Sequence, residues 1–270
     1  MRIILLAAAV AALAGSASSS HSFEQRGTVA TPRAASGDGQ PLAAPYRVEL
    51  HGGATAESTI ADERADRSAA SDGSAAAVTR KQMGAAVRAR ISKSADLGIE
   101  VDRSWSPTKT TPAGAAIDGP DDAVIDVALG LRASTRLSDG ARLGFAMDLG
   151  FSSVPITRND AAEAARAEAL LARMAVIPSL RRGVVTWFGS VGFATESEVP
   201  SRVIWTDPDP EPDVQASASG LALTIAAGAT IDVGGGARLT ARVGDAVSKT
   251  AAAGHYGPQV DVGLAFDLGK

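Results

Sequence analysis

Apolar and polar positions alternate along most of this chain, in runs that come in pairs. Each pair is joined by a tiny turn, and long polar stretches separate one pair from the next. The clearest pair is Ala123–Leu137 and Ala141–Phe151, linked by Ser138-Asp139-Gly140. In the first run Ile125, Val127, Leu129 and Leu131 share one side, while Asp126, Arg132 and Arg136 share the other. In the second, Leu143, Phe145, Met147, Leu149 and Phe151 oppose Arg142 and Asp148. A period of two over this length is the mark of a strand with one apolar and one polar face.

The same reading extends to both sides. Pro45–His51 is a candidate first strand, with Tyr46, Val48 and Leu50 opposite Arg47, Glu49 and His51. Gly84–Ser92 and Leu97–Trp105 form the next pair, with Gly52–Lys81 before it as a long loop. Asp160–Met174 is rich in helix formers, so a short surface helix competes there with a loop to about Arg166 followed by a strand to Ser179. Arg181-Arg182-Gly183 then turns into Val184–Ala194. The run Asp207–Asp213 carries alternating Pro and cannot sit in a sheet. The last pair aligns Leu221 through Val233, turns at Gly234–Gly236 and continues through Val243, and Val260–Leu268 closes the chain. Counting predicts about ten strands, an even number, with both chain ends on the side of the short turns.

The start of the chain has another character. Met1 and Arg2 precede the apolar run Ile3–Ala14 and small residues to Ala17, which predicts a signal peptide over 1–17, cleaved after Ala17 or Ala14. The run is too short to span a bilayer as a helix. No Cys follows it, so a lipid-anchored lipoprotein is not expected. Residues 18–43 are aperiodic and rich in Ser, Ala, Gly and Pro, and read as a disordered periplasmic tail or linker before a domain over 44–270.

Composition narrows the functional classes. The chain of 270 residues has no Cys, so disulfides and thiolate chemistry are absent. Net charge is −4 with both signs well represented, which argues against nucleic acid as a partner. Beyond the leader, no segment approaches the continuous apolar length of a membrane helix.

The alternation, the short-turn and long-loop rhythm and the leader together resemble the small bacterial outer-membrane β-barrels over about Pro45–Lys270. In that class the last strand carries alternate apolar residues, here Val262, Leu264, Phe266 and Leu268, although the chain ends in Gly269-Lys270 where an aromatic is usual. The resemblance implies an antiparallel, up-and-down transmembrane barrel in the outer membrane, with periplasmic termini. It implies lipid and the barrel-assembly machinery as partners, and long loops open to a surface ligand. Tyr46, Trp105, Phe145, Phe151, Trp187, Phe193, Tyr256 and Phe266 supply a partial aromatic belt. A soluble secreted β-sandwich or barrel would alternate too.

The polar face predicts the contents of the lumen. Its charges are Arg88, Arg90, Glu100, Asp102, Asp126, Arg132, Arg142, Asp148, Asp232, Arg238, Arg242 and Asp261. The Gly234–Gly236 turn sets Asp232 opposite Arg238. A turn centred near Ala95 sets Arg90 opposite Glu100 and Arg88 opposite Asp102. Such charges can neutralise one another in a filled barrel or line a narrow porin-like pore, with Gly130, Gly144, Ala146, Gly228 and Gly263 leaving space. Catalytic signals are poor: His21, His51 and His255 have no nucleophile at a recognisable spacing, and Gly189-Ser190-Val191-Gly192 reads as strand. The Gly244–Thr250 stretch lacks the Gly before Lys of a phosphate loop. The expected role is passive, in envelope structure, surface-loop interaction or narrow conduction, without cofactor or metal. An outer-membrane enzyme is the alternative.

Overall fold

A computed structural model of the chain describes residues 25–26, 29–30, 33–57, 78–105, 109–110, 116–117, 123–158, 165–198, 217–248 and 257–269. The leader, His21, Asp207–Asp213, His255 and Tyr256 lie outside the described residues. Ten long strands make one sheet: β1 Tyr46–Glu57, β2 Val78–Arg90, β3 Ala95–Trp105, β4 Val124–Arg136, β5 Ala141–Arg158, β6 Ala165–Arg182, β7 Val185–Glu198, β8 Ser217–Gly234, β9 Ala237–Val247 and β10 Gln259–Leu268. Each pairs antiparallel with its sequence neighbour. β10 returns to β1 over a ladder from Gln259 opposite Thr55 to Leu268 opposite Tyr46, so the sheet closes on itself. Lys109–Thr110 and Ala116–Ile117 pair separately within the connection after β3.

Short connections lie at one end, at residues 91–94, 137–140, 183–184 and 235–236, and longer ones lie at the other. The two-residue turn at Gly235-Gly236 needs positive φ at both positions (62° and 85°), which glycine adopts without strain. Alternation assigns the faces. Across β3, β4 and β5 the register sets Ile99 beside Leu129 and Leu129 beside Leu149, all pointing outward and about half exposed. Phe145, Phe151, Trp187, Phe193 and Phe266 are exposed on the same outer surface. A continuous apolar band around a fully hydrogen-bonded cylinder is the design of a barrel in lipid. Even β10, with 10 residues, covers about 25 Å of membrane at the usual rise and tilt.

Three expectations need correction. Residues 33–43, read as part of a disordered tail, run inside the barrel: Arg33, Ala34, Ala35, Asp38 and Leu42 are buried. Their small, aperiodic side chains suit a strand-less segment packed in a lumen. Of the two readings of 160–174, the strand is the one found, from Ala165 onward, where barrel pairing with β5 overrides helix propensity. β1 and β2 reach into the expected loop, to Glu57 and from Val78. The turn after β2 falls at 91–94, so Arg90 faces Asp96 and Arg88 faces Gly98, while Glu100 faces Ala86 and Asp102 faces Gly84. The Asp232–Arg238 pairing is as expected.

The outer band makes a direct prediction. Leu129→Arg places a charge near the middle of the apolar face. It should lower the unfolding free energy in lipid vesicles by about 2–4 kcal/mol, measured by urea titration. An unchanged midpoint would mean that this face meets water.

Candidate functional site

The lumen is the candidate site, built from inward residues of the wall and from the segment 33–44 that passes through it. That segment starts at the long-loop end, where Gln25–Arg26 pair with Arg158 and Thr157 of β5, and Val29–Ala30 pair with Glu198 and Ser197 of β7. It finishes at the short-turn end, where the Pro45 carbonyl accepts from the Arg90 amide at 2.8 Å and the Ala43 carbonyl accepts from Arg90 Nη1 at 3.3 Å. Between these points Arg33, Ser36 and Asp38 reach into the wall.

Glu100 of β3 is the centre. Its oxygens take Arg173 Nη2 at 2.9 Å, Arg88 Nη2 at 3.3 Å and Arg132 Nη2 at 3.8 Å. The Ser36 hydroxyl donates to Glu100 at 2.6 Å and accepts from Arg88 at 2.8 Å and Arg132 at 2.9 Å. Arg132 also donates through Nε to the Ser36 carbonyl at 2.7 Å. One serine of the threaded segment thus joins an acid and two arginines from three strands. Asp148 pairs with Arg132 at 2.5 Å and Arg173 at 3.2 Å. Arg33 pairs with Asp102 at 2.9 Å and Asp126 at 3.4 Å, and donates to Gln82 Oε1 at 2.8 Å. Nearer the short turns, Asp38 meets Arg238 at 3.6 Å and Gln40 donates to Ser179 Oγ at 2.9 Å. Charge-assisted bonds to planar guanidiniums suit this crowding, since each Arg has several donors to share among acids.

Towards β5, β6 and β7 the segment also meets a small apolar cluster. Ala35 packs with Ala146 of β5, Ala175 and Ile177 of β6 and Phe188 of β7. The segment is therefore held by charge on one side and by apolar packing on the other. Inward glycines are filled seats. A Cβ on Gly130 would meet Asp148 and Arg132, one on Gly144 would meet Gly39, and one on Gly228 would meet Phe188. The space that these small residues leave is occupied by neighbouring side chains and by the threaded segment.

Arg88, Glu100, Asp102, Asp126, Arg132 and Asp148 all fall in the central network. Arg242 pairs with Asp261 at 2.6 Å, and Arg238 with Asp232 at 2.9 Å. Arg90 does not point into the network; it is exposed at the short-turn rim. Arg142 is half-buried on the same side and stands apart from these ion pairs. Sequence reasoning missed Arg33, Ser36 and Asp38, which no period could mark, and Arg173, whose place between the outward Ala172 and Met174 was masked by helix-forming neighbours. It also left out Asp96, which lies 3.6 Å from Arg88, and Asp267, which lies 2.7 Å from Arg47.

His51 lies 2.5 Å from Asp102, and His51, Glu100 and Asp102 offer ligand atoms within 4.8 Å of one another. The same carboxylates already serve Arg33, Arg88 and Arg173, so a divalent cation would face three guanidiniums there. These groups fit charge neutralisation better than metal binding. Arg47 Nη2, Arg88 Nη1 and Asp96 Oδ1 have no hydrogen-bond partner and line a cavity of about 110 Å³ beside the segment. That is room for a few waters.

Arg173 is buried among Glu100, Asp102 and Asp148. Arg173→Gln leaves three carboxylates short of a cation and should cost about 3–5 kcal/mol of stability in urea titration. Adding Asp148→Asn should restore part of the loss. If the double variant is no more stable than the single one, the three acids are not competing for that charge.

No protein-family model matches the chain, and no curated protein is similar to it in sequence. Solved structures do resemble it. The translocator domain of the autotransporter NalP from Neisseria meningitidis is 12% identical, covering 99% of this chain and 95% of its own, with a TM-score of 0.38. The β-domain of the Bordetella autotransporter BrkA is 13% identical, covering 92% and 97%, with a TM-score of 0.44. The outer-membrane protease OmpT from Escherichia coli is 9% identical, covering 93% and 99%, with a TM-score of 0.41.

Proposed function

We propose that this protein is a sealed barrel of the bacterial outer membrane that acts as a surface anchor. It would hold its own N-terminal segment and its long loops at the cell exterior. The single observation that carries this reading is the placement of residues 25–26, 29–30 and 33–45. The chain enters the lumen at the long-loop end, crosses it, and joins β1 at the short-turn end. In outer-membrane barrels short turns face the periplasm and long loops face outward. Residues before Arg26 would then emerge outside, while the chain end after β10 stays on the periplasmic side. On this reading the N-terminus would lie outside, where the sequence expectation has both termini periplasmic.

The filled lumen supports a passive role over a standing pore. Membrane lipid is the partner of the outer band, and the barrel-assembly machinery the partner during insertion. The enzyme alternative gains little, because the one His–Asp pair lies in a network whose carboxylates are already bound to arginine.

The absence of cysteine makes the test simple. Single-cysteine variants Ser22→Cys and Lys93→Cys would be treated in intact cells with a membrane-impermeant maleimide. Labelling at 22 and protection at 93 is the expected result. The reverse pattern would place the N-terminal segment on the periplasmic side and end the anchor reading.

A further inference from the structure

Every strand of the wall is tied to two neighbours by a backbone ladder, but residues 33–44 make no ladder with any strand. They are held through side chains and isolated carbonyls: Arg33, Ser36, Asp38 and Gln40, the apolar contact of Ala35, the bonds from Arg242 Nη1 to the Ala34 and Ala35 carbonyls at 3.4 and 3.3 Å, and those from Arg132 and Arg90 to the Ser36 and Ala43 carbonyls. This stretch can therefore leave the lumen without breaking the ten-strand ladder, once the short pairings of Gln25–Arg26 and Val29–Ala30 release. The passage it vacates is wide enough for a polypeptide backbone, because one now fills it.

The charge left behind has a definite sign. Among the described residues the wall arginines in the interior ion pairs are Arg47, Arg88, Arg132, Arg173, Arg238 and Arg242, six in all. Nine wall carboxylates face them. Arg33 and Asp38 of the segment add one charge of each sign, so its departure does not repair the imbalance. Locally it sharpens it: when Arg33 leaves, Asp126 loses its ion-pair partner while Asp102 keeps Arg173 and His51, so at this level Glu100, Asp102, Asp126 and Asp148 outnumber Arg88, Arg132 and Arg173. Rings of carboxylates favour cations in a narrow aqueous path. Arg90 and Arg142 sit towards the short-turn mouth, outside this level.

We propose that the barrel is a latent cation-selective channel, with residues 33–44 as its displaceable plug. The acidic level formed by Glu100, Asp102 and Asp126 sets the selectivity. This inference does not depend on which end faces outward, so its outcome and that of the cysteine labelling are independent.

The test is single-channel recording in planar lipid bilayers with the full chain. Folded barrels are first confirmed by their heat-modifiable gel migration. The wild type should stay closed for most of the record. Arg33→Gln combined with Asp38→Asn removes the plug's charged anchors and should raise open time about tenfold or more. Reversal potentials in a KCl gradient should carry the sign of K⁺ preference, and adding Asp126→Asn should reduce it. Ser36→Ala removes the shared hydroxyl without altering any charge, and should raise open time by a smaller factor if the double variant does not insert. Finally, Gln40→Cys with Ser179→Cys, joined by a short thiol-reactive cross-linker, should silence the conducting variant. Folded variants that stay silent, currents that prefer Cl⁻, or conductance that survives the cross-link would each overturn the proposal.

Discussion

The structure depends on one constraint: in lipid every backbone N–H and C=O must find a partner within the protein. Antiparallel strands meet it only if the sheet has no edge, and the ladder from β10 to β1 removes the edge. Once closed, the sheet has two surfaces and no others. The period of two then sends Leu, Ile, Val and Phe outward and leaves the interior to everything that lipid rejects. The dense pairing of arginine and carboxylate inside follows, since a charge buried there without a partner would cost several kcal/mol.

Closure also sets how much has to fit inside. Ten strands at ordinary spacing and tilt give a backbone radius of about 10 Å, more than side chains alone fill comfortably in eight-stranded barrels. Here many inward positions are Gly or Ala, which widens the bore further. Glycine at 84 leaves room for His51 and Asp102, and glycine at 98 for the Arg88 side chain. The remaining width is taken by residues 33–44. Their composition fits the space: Ala35 lies against Ile177 and Phe188, and glycine at 39 (φ 72°) lies so close to the Ile177 carbonyl that a Cβ there would come within 2.7 Å.

What was legible in the sequence was what alternation encodes. Strand number, closure order, the outer face through Ile99, Leu129 and Leu149, and most of the lumen charges could be read because each rests on local parity. The Asp232–Arg238 pairing was legible because three glycines left one place for the turn. The partners of Arg88 were not, because residues 91–95 allow several turns and each shift moves the register while preserving the faces. Arg173 was hidden by neighbours that favour a helix when taken alone and become strand only between β5 and β7. The threaded segment was hidden more deeply. It has no period, because it belongs to no sheet, and its low complexity is what a solvated tail also has. Tertiary space distinguishes the two, and local sequence carries no record of that.

The two-sided grip on this segment explains how a sealed barrel can remain close to opening. Buried ion pairs contribute little net stability, because desolvation offsets most of their attraction. The many guanidinium contacts around Ser36 therefore specify where the segment sits more than they bind it. Much of its attachment rests on small apolar surfaces such as Ala35, whose transfer from water is worth little per residue. Withdrawal also lets water enter, and water solvates the wall arginines and acids that the segment leaves. The wall does not collapse into the gap, since its ladders hold the circumference constant. A rigid cylinder around a ladder-free chain is thus suited to two states: the cylinder is common to both, and they would differ by the side-chain bonds of Arg33, Ser36, Asp38 and Gln40, the bonds to the segment's carbonyls, and the packing of Ala35.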